Sequence, residues 1–291
     1  MKKFLISVLK MIVMTFLMLV AADVCYTSIY LNSDNRNKIQ YVFNSESKKY
    51  DVVILGSSRA NNHFDAGMFN KKGLKTFNYG IAASRLEETA LLLELMMERN
   101  YKIKNIILEV DLNINSDNHS EAIRANFMPY IHNSETIKTY YKSIPDFNQI
   151  YFIPFYRYIC YDSKIGFREL FNAVIHKKSS DFLHFGYYPL FKRNHALQLD
   201  IASYSPKKNK SYELIKSICK KNNINLIAVT TPMCAACNNF DYFKQVSKLY
   251  PEIHNYENVV TEDKYFSSCG HMNDKGAKLF TAKIISDFFK K

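Results

Sequence analysis

Asp51-Val-Val-Ile-Leu-Gly-Ser-Ser-Arg59 decides how this chain is read. A short apolar run closed by glycine and two hydroxyl residues is the pattern of a buried parallel strand feeding a turn. Working outward, Lys75-Thr-Phe-Asn-Tyr79 ends at Gly80, and Asn105-Ile-Ile-Leu-Glu-Val110 ends at Asp111-Leu112-Asn113. Much later Ile224-Asn-Leu-Ile-Ala-Val229 ends at Thr230-Thr231-Pro232. Helix signals lie between them. Ser84 with Glu87 reads as a capping box opening a helix over Leu86 to Met97. Tyr212 to Lys221 has amphipathic spacing, and a last helix after Asn273 lines up Phe280, Ile284 and Phe288. Strand and helix alternate, which predicts an α/β fold: a three-layer α/β/α sandwich around a central parallel sheet. In such sheets the loops at the carboxyl ends of the strands build the site.

The N-terminus carries a different signal. Lys2 and Lys3 precede an apolar run from Phe4 to Ala22, broken only by Lys10 and Thr15. That is long enough for one membrane crossing if Lys10 snorkels, and positive charge before the run predicts a cytoplasmic N-terminus with the rest exported. The expectation is a single-pass anchor, or a signal cut after Val20-Ala21-Ala22, in residues 1–30. A polar stalk would follow over 31–49, and a catalytic domain over 50–291, extracytoplasmic or periplasmic. An insertion at about 118–206 interrupts that domain: residues 127–191 hold 18 of the 42 tyrosines and phenylalanines. It is too long for a bare loop and predicts a mostly helical, aromatic-rich segment. It reads either as a lid or sugar-stacking platform over the strand ends, or as a small satellite core.

Hydrophobic residues make up 47% and charged residues 23%, a globular rather than disordered composition. Lys and Arg exceed Asp and Glu by 39 to 27, favouring anionic neighbours. The basic residues are scattered in pairs with no nucleic-acid module around them, so no nucleic-acid partner is expected. His63, His119, His132, His176, His184, His195 and His254 show no metal-ligand spacing, and neither metal nor cofactor is expected. Cys234-Ala-Ala-Cys237 stands alone, without a second pair to complete a zinc site. It reads as a structural disulfide, one that could also involve Cys269, or as free thiols, ahead of a redox pair.

Two features carry chemistry. Ser58 sits in the turn after the first strand, where its hydroxyl would face the strand-end crevice. His271, in Gly270-His-Met-Asn-Asp-Lys-Gly276, immediately precedes the last helix. Alone, each is as consistent with capping or packing as with catalysis. Together they resemble the SGNH, or GDSL-like, hydrolase family, from about residue 50 to the end apart from the insertion. The resemblance implies a flavodoxin-like SGNH fold, with Ser58 of Gly56-Ser57-Ser58 as nucleophile and His271 as its base. It implies an oxyanion hole from the backbone N–H groups of Ser58 and Gly80 and the side chain of Asn113, with Asp111 as fallback. The family's aspartate three residues before the histidine is Ser268 here. The acid or orienter would then be Ser268 itself, or Glu262 or Asp263 from another point. Arg59 is a candidate contact for an anionic substrate.

The implied function is a serine esterase or O-acyltransferase. It would act on O-acyl groups, acetyl foremost, of a cell-envelope polysaccharide, alone or beside a membrane acyltransferase partner. The alternative is a catalytically silent SGNH-like envelope protein that binds glycan or assists such an acyltransferase, a reading that the missing aspartate favours.

Overall fold

The computed structural model describes residues 1–191, 198–239 and 241–290; His195 lies outside the described residues. The chain divides into two compact units, one of residues 1–44 with 121–178 and one of residues 45–120 with 179–291.

The larger unit is built on a parallel sheet. Its strands are β1 (Lys49–Leu55), β2 (Thr76–Asn78), β3 (Lys102–Glu109) and β5 (Asn225–Val229), in the order β2-β1-β3-β5. Ile54 stands opposite Asn78 on one side and Ile107 on the other, and Leu108 pairs with Ala228. Val52 to Leu55 and Ile106 to Leu108 are fully buried, as consecutive residues can be only when both faces of a sheet are covered. The chain leaves β1 in one direction to β2, then crosses back to β3 on the other side. With right-handed crossovers, this reversal sends the connecting helices to opposite faces. Helix Leu86–Glu98 packs with Lys210–Lys221, and Asp274–Phe288 packs with Ser58–His63 and Ala66–Lys71. The expected layered α/β sheet is therefore present, and the reversal at β1 opens a crevice at the carboxyl ends of β1 and β3.

Two short ladders complete this unit: β4 (Leu199–Asp200) with β6 (Cys237–Asn238), and the hairpin β7 (Phe266–Ser268) with β8 (His271–Met272). The helix expected over Leu86 to Met97 does begin at Leu86, but Ser84 does not cap it. Arg85 is the N-cap, and its backbone N–H donates to Glu88, not Glu87, at 2.8 Å. Ser84 is buried with its hydroxyl turned to the Arg85 carbonyl, so the side chain that could cap is engaged elsewhere.

In the smaller unit, helix Lys2–Asn32 is long and apolar enough to cross a membrane. The stretch expected as a stalk is helical in part, with the long helix continuing to Asn32 and a short one over Lys38–Phe43. Only residues 121–178 of the expected insertion fold here; its other described residues, 118–120, 179–191 and 198–206, belong to the sheet unit. Tyr130, Tyr141 and Tyr158 are buried, and Tyr130 stacks on Phe43 at 4.3 Å. These tyrosines thus form a satellite core, while Phe152, Phe167 and Phe171 stay exposed. It fastens onto the far end of the long helix: Asp23 accepts from Arg157 Nη2 and from the Phe155 backbone N–H, each at 2.7 Å. Thr27 and the Tyr158 hydroxyl share a further bond at 2.9 Å.

Candidate active site

β1 is followed by Gly56 at φ +135°, a backbone shape that favours glycine, and any Cβ there would lie 2.8 Å from the Glu109 carboxyl. The sharp turn that follows delivers Ser57 as N-cap of helix Ser58–His63, so Ser58 is its first residue. Glu109, at the end of β3, accepts from both the N–H and the hydroxyl of Ser57, at 2.8 and 2.6 Å. The turn is thereby fixed from beneath by a buried carboxyl.

Across the crevice, the β7–β8 hairpin presents His271. Its Nε2 lies 2.8 Å from Ser58 Oγ, and its Nδ1 lies 3.3 Å from Ser268 Oγ. For Nε2 to accept the serine proton, Nδ1 must carry the ring hydrogen and donate it to Ser268. The hydroxyl that replaces the expected aspartate therefore supports the useful tautomer, though it brings no negative charge. Burial and, secondarily, the charge of Arg59 lower the His271 pKa to about 4, so the ring is neutral in ordinary conditions. Glu262 and Asp263 are not its orienters: both are exposed, and Glu262 pairs with Lys264 at 2.6 Å.

Several side chains differ in role from expectation. Gly80 does not line the cleft, and its N–H donates to Asn78 Oδ1 at 2.9 Å, which removes it from the oxyanion donors. Its small size serves packing instead, since a Cβ would stand 2.5 Å from the Asn61 nitrogen in the helix that Ser58 begins. Asn113 lines the cleft with Oδ1 held by Arg85 Nη1 at 3.1 Å. Its Nδ2 and the Ser58 N–H have no hydrogen-bond partner among the described residues, which leaves two donors for an oxyanion. Arg59 is 6% exposed. It pairs with Asp111 at 2.8 Å and donates to the Pro232 carbonyl at 3.0 Å, so it is a buried strut more than a substrate hand. The exposed arginine at the cleft is Arg85. Asp111, the fallback donor site, is fully buried and also accepts twice from Thr231, at 2.6 Å. Burial pushes the Glu109 and Asp111 carboxyls upward; the Asp111 charge adds to the rise of Glu109, and Arg59 opposes both.

His63 was not singled out by spacing, yet it supports the site. Wholly buried, it accepts the Met272 N–H at Nε2 and shares a bond between Nδ1 and Thr231 Oγ1, at 3.1 and 2.9 Å. It thus ties β8, which carries His271, to the Thr231–Asp111–Arg59 network. Its one sequence signal was its place five residues after Ser58 on the same short helix, which does not announce such a role.

Cys234 is bonded to Cys269, not to Cys237, which is a buried free thiol. The bridge spans 35 residues and fastens the hairpin to the loop after β5. Among the described residues no group of three or more His, Cys, Asp or Glu side chains converges as a metal site. The cleft measures about 430 Å³; its wall includes Ser58, Arg85, Asn113, Gln198, Tyr204 and His271, and all of its lining residues belong to the sheet unit.

Fold and cleft together define an α/β protein with a hydrogen-bonded serine–histidine pair at the carboxyl end of its parallel sheet. The chain matches no family model and no curated protein sequence. Among solved structures it is similar to one from Streptococcus pneumonia described as "a putative platelet activating factor". The identity is 10% and the TM-score 0.35, over 98% of this chain and 99% of that one.

Proposed function

We propose that this protein is a membrane-anchored SGNH-type serine esterase or O-acyltransferase, with Ser58 as nucleophile and His271 as base. The observation that carries the reading is the 2.8 Å contact between Ser58 Oγ and His271 Nε2, formed by side chains 213 residues apart. His271 takes the Ser58 proton as Oγ attacks an ester carbonyl. The oxyanion is met by the Ser58 N–H and Asn113 Nδ2, and loss of one such donor costs about 10²–10³ in rate. His271 then protonates the leaving alcohol, and water or a sugar hydroxyl resolves the acyl-enzyme. The acceptor class, a cell-envelope polysaccharide carrying O-acetyl groups, is supported by the polar cleft wall of Arg85, Asn113 and Gln198 beside Tyr204. The proposed topology keeps Lys2 and Lys3 in the cytoplasm and the catalytic domain outside it.

A second reading is favoured by two observations, the hydroxyl at Ser268 and the engaged N–H of Gly80. It makes the protein a silent glycan binder or helper of a membrane acyltransferase. The two part in one experiment on the full chain in detergent, using p-nitrophenyl acetate and a serine-directed fluorophosphonate. The enzyme reading expects turnover and labelling that vanish in Ser58→Ala. No labelling of the unaltered chain, or equal labelling of Ser58→Ala, leaves the silent reading standing.

A further inference from the structure

We infer that the exposed apolar rim of the helical insertion, formed by Phe152, Ile153, Ile159, Phe167 and Phe171, seats in the bilayer interface around the exit of the N-terminal helix. This rests on the reading of that helix as a retained anchor. The apolar run of the helix ends at Ala22, and the very next residue, Asp23, is the point at which the insertion is fastened. Phe155 donates its N–H to Asp23 and packs edge-on against Tyr26 at 4.8 Å. A helix rises about 1.5 Å per residue, so Tyr26 lies about 6 Å beyond Ala22. The polar zone on each side of a bilayer is about 5–7 Å deep. The turn Phe152-Ile-Pro-Phe155 is therefore held at the depth where the chain passes from hydrocarbon to headgroups.

Its outward side chains suit that depth. Phe152 is 69% exposed and Phe167 is 64% exposed. Helix Phe167–Val174 has two apolar faces: Leu170 and Ala173 are buried, whereas Phe167, Phe171, Val174 and Ile175 form an exposed stripe at helical spacing. Such a stripe in water calls for a covering partner. Helix Phe167–Val174 packs against the N-terminal helix, with Glu169 paired to Arg36 at 3.5 Å, and the partner assigned to its stripe is the lipid surface at the exit of the N-terminal helix. Exposed Lys164 and Arg168 border it, as cations do on helices lying in anionic interfaces.

The chain has no tryptophan, so single substitutions report their own depth. The full chain carrying Phe16→Trp, Phe152→Trp or Phe171→Trp is reconstituted in phosphatidylcholine–phosphatidylglycerol nanodiscs, with bromines set high or deep in the acyl chains. The expected result is loss of emission at positions 152 and 171 with the high bromines and at position 16 with the deep ones. Quenching at position 16 alone, with 152 and 171 open to acrylamide, overturns the rim while leaving the anchor. A blue shift at 152 or 171 without bromine quenching, growing with protein per disc, gives the face to a second copy and likewise overturns it. No quenching at position 16 removes anchor and rim together.

Discussion

In the sheet unit Val52 to Leu55 are covered on both faces, whereas in the helical unit Phe152, Phe167 and Phe171 stand open beside a helix apolar enough to cross a membrane. Both units hold buried charge, and they use it differently. Arg157 meets Asp23 in a clasp that joins two helical segments distant in sequence. Arg59 and Asp111 sit instead in a continuous network with Thr231 and His63 that reaches the strand bearing His271. A clasp of the first kind sets where a segment is held. A network of the second kind fixes the angle of a reacting group, which asks for more contacts per residue.

That contrast can be broken or sharpened by experiment. The largest effect is expected in the cleft: His271→Ala should lower kcat/KM for p-nitrophenyl acetate by about 10³–10⁴, measured beside an unchanged circular dichroism spectrum. Next comes the helical clasp. Arg157→Ala leaves Asp23 without its cation and should cost about 3–5 kcal/mol, seen as faster proteolysis within residues 121–178 in nanodiscs. Cys269→Ser opens the bridge and should cost about 2–4 kcal/mol in chemical denaturation of the full chain in detergent, with loss of activity following loss of the hairpin. Ser268→Asp should raise kcat by about tenfold by supplying the charge that an imidazolium needs. The same change should move the acid limb of the kcat/KM profile. Because the folded-state pKa of His271 is lowered to about 4, the base stays unprotonated above that pH and the unaltered protein keeps its activity through pH 5. A carboxylate at 268 raises that pKa, and activity is then lost at a higher pH as the solution is acidified. The smallest effect, within about twofold, is expected for Glu262→Gln, whose partner Lys264 is a surface cation.

How much of this was legible depended on the range over which each feature is determined. The strand at Asp51–Leu55 and its turn are local, written in consecutive apolar residues and a glycine, and the structure keeps them nearly to the residue. Ser58 and His271 were legible as a pair only through the resemblance to the SGNH family, because a serine after a strand and a histidine before a helix each suit capping as well. Gly80 was misread because a glycine at a strand end signals close approach without saying to what; here it is the helix that Ser58 begins rather than an oxyanion. The partner of Cys234 was left open because spacing does not determine connectivity. The destination of residues 121–178 was hidden for a related reason: aromatic density predicts that a core forms, and nothing in it names Asp23 and Thr27 as the surface it closes on.

The hairpin that holds His271 has little pairing of its own, only Phe266 with Met272 and Ser268 with His271. Its attachment through Cys269 therefore weighs more than in a longer ladder. Thiols stay reduced in the cytosol and oxidise outside it. On the proposed topology, a freshly made chain would carry His271 on an unclasped loop until after export. The proposed serine–histidine pair would then be held in register only where Cys234 and Cys269 can oxidise.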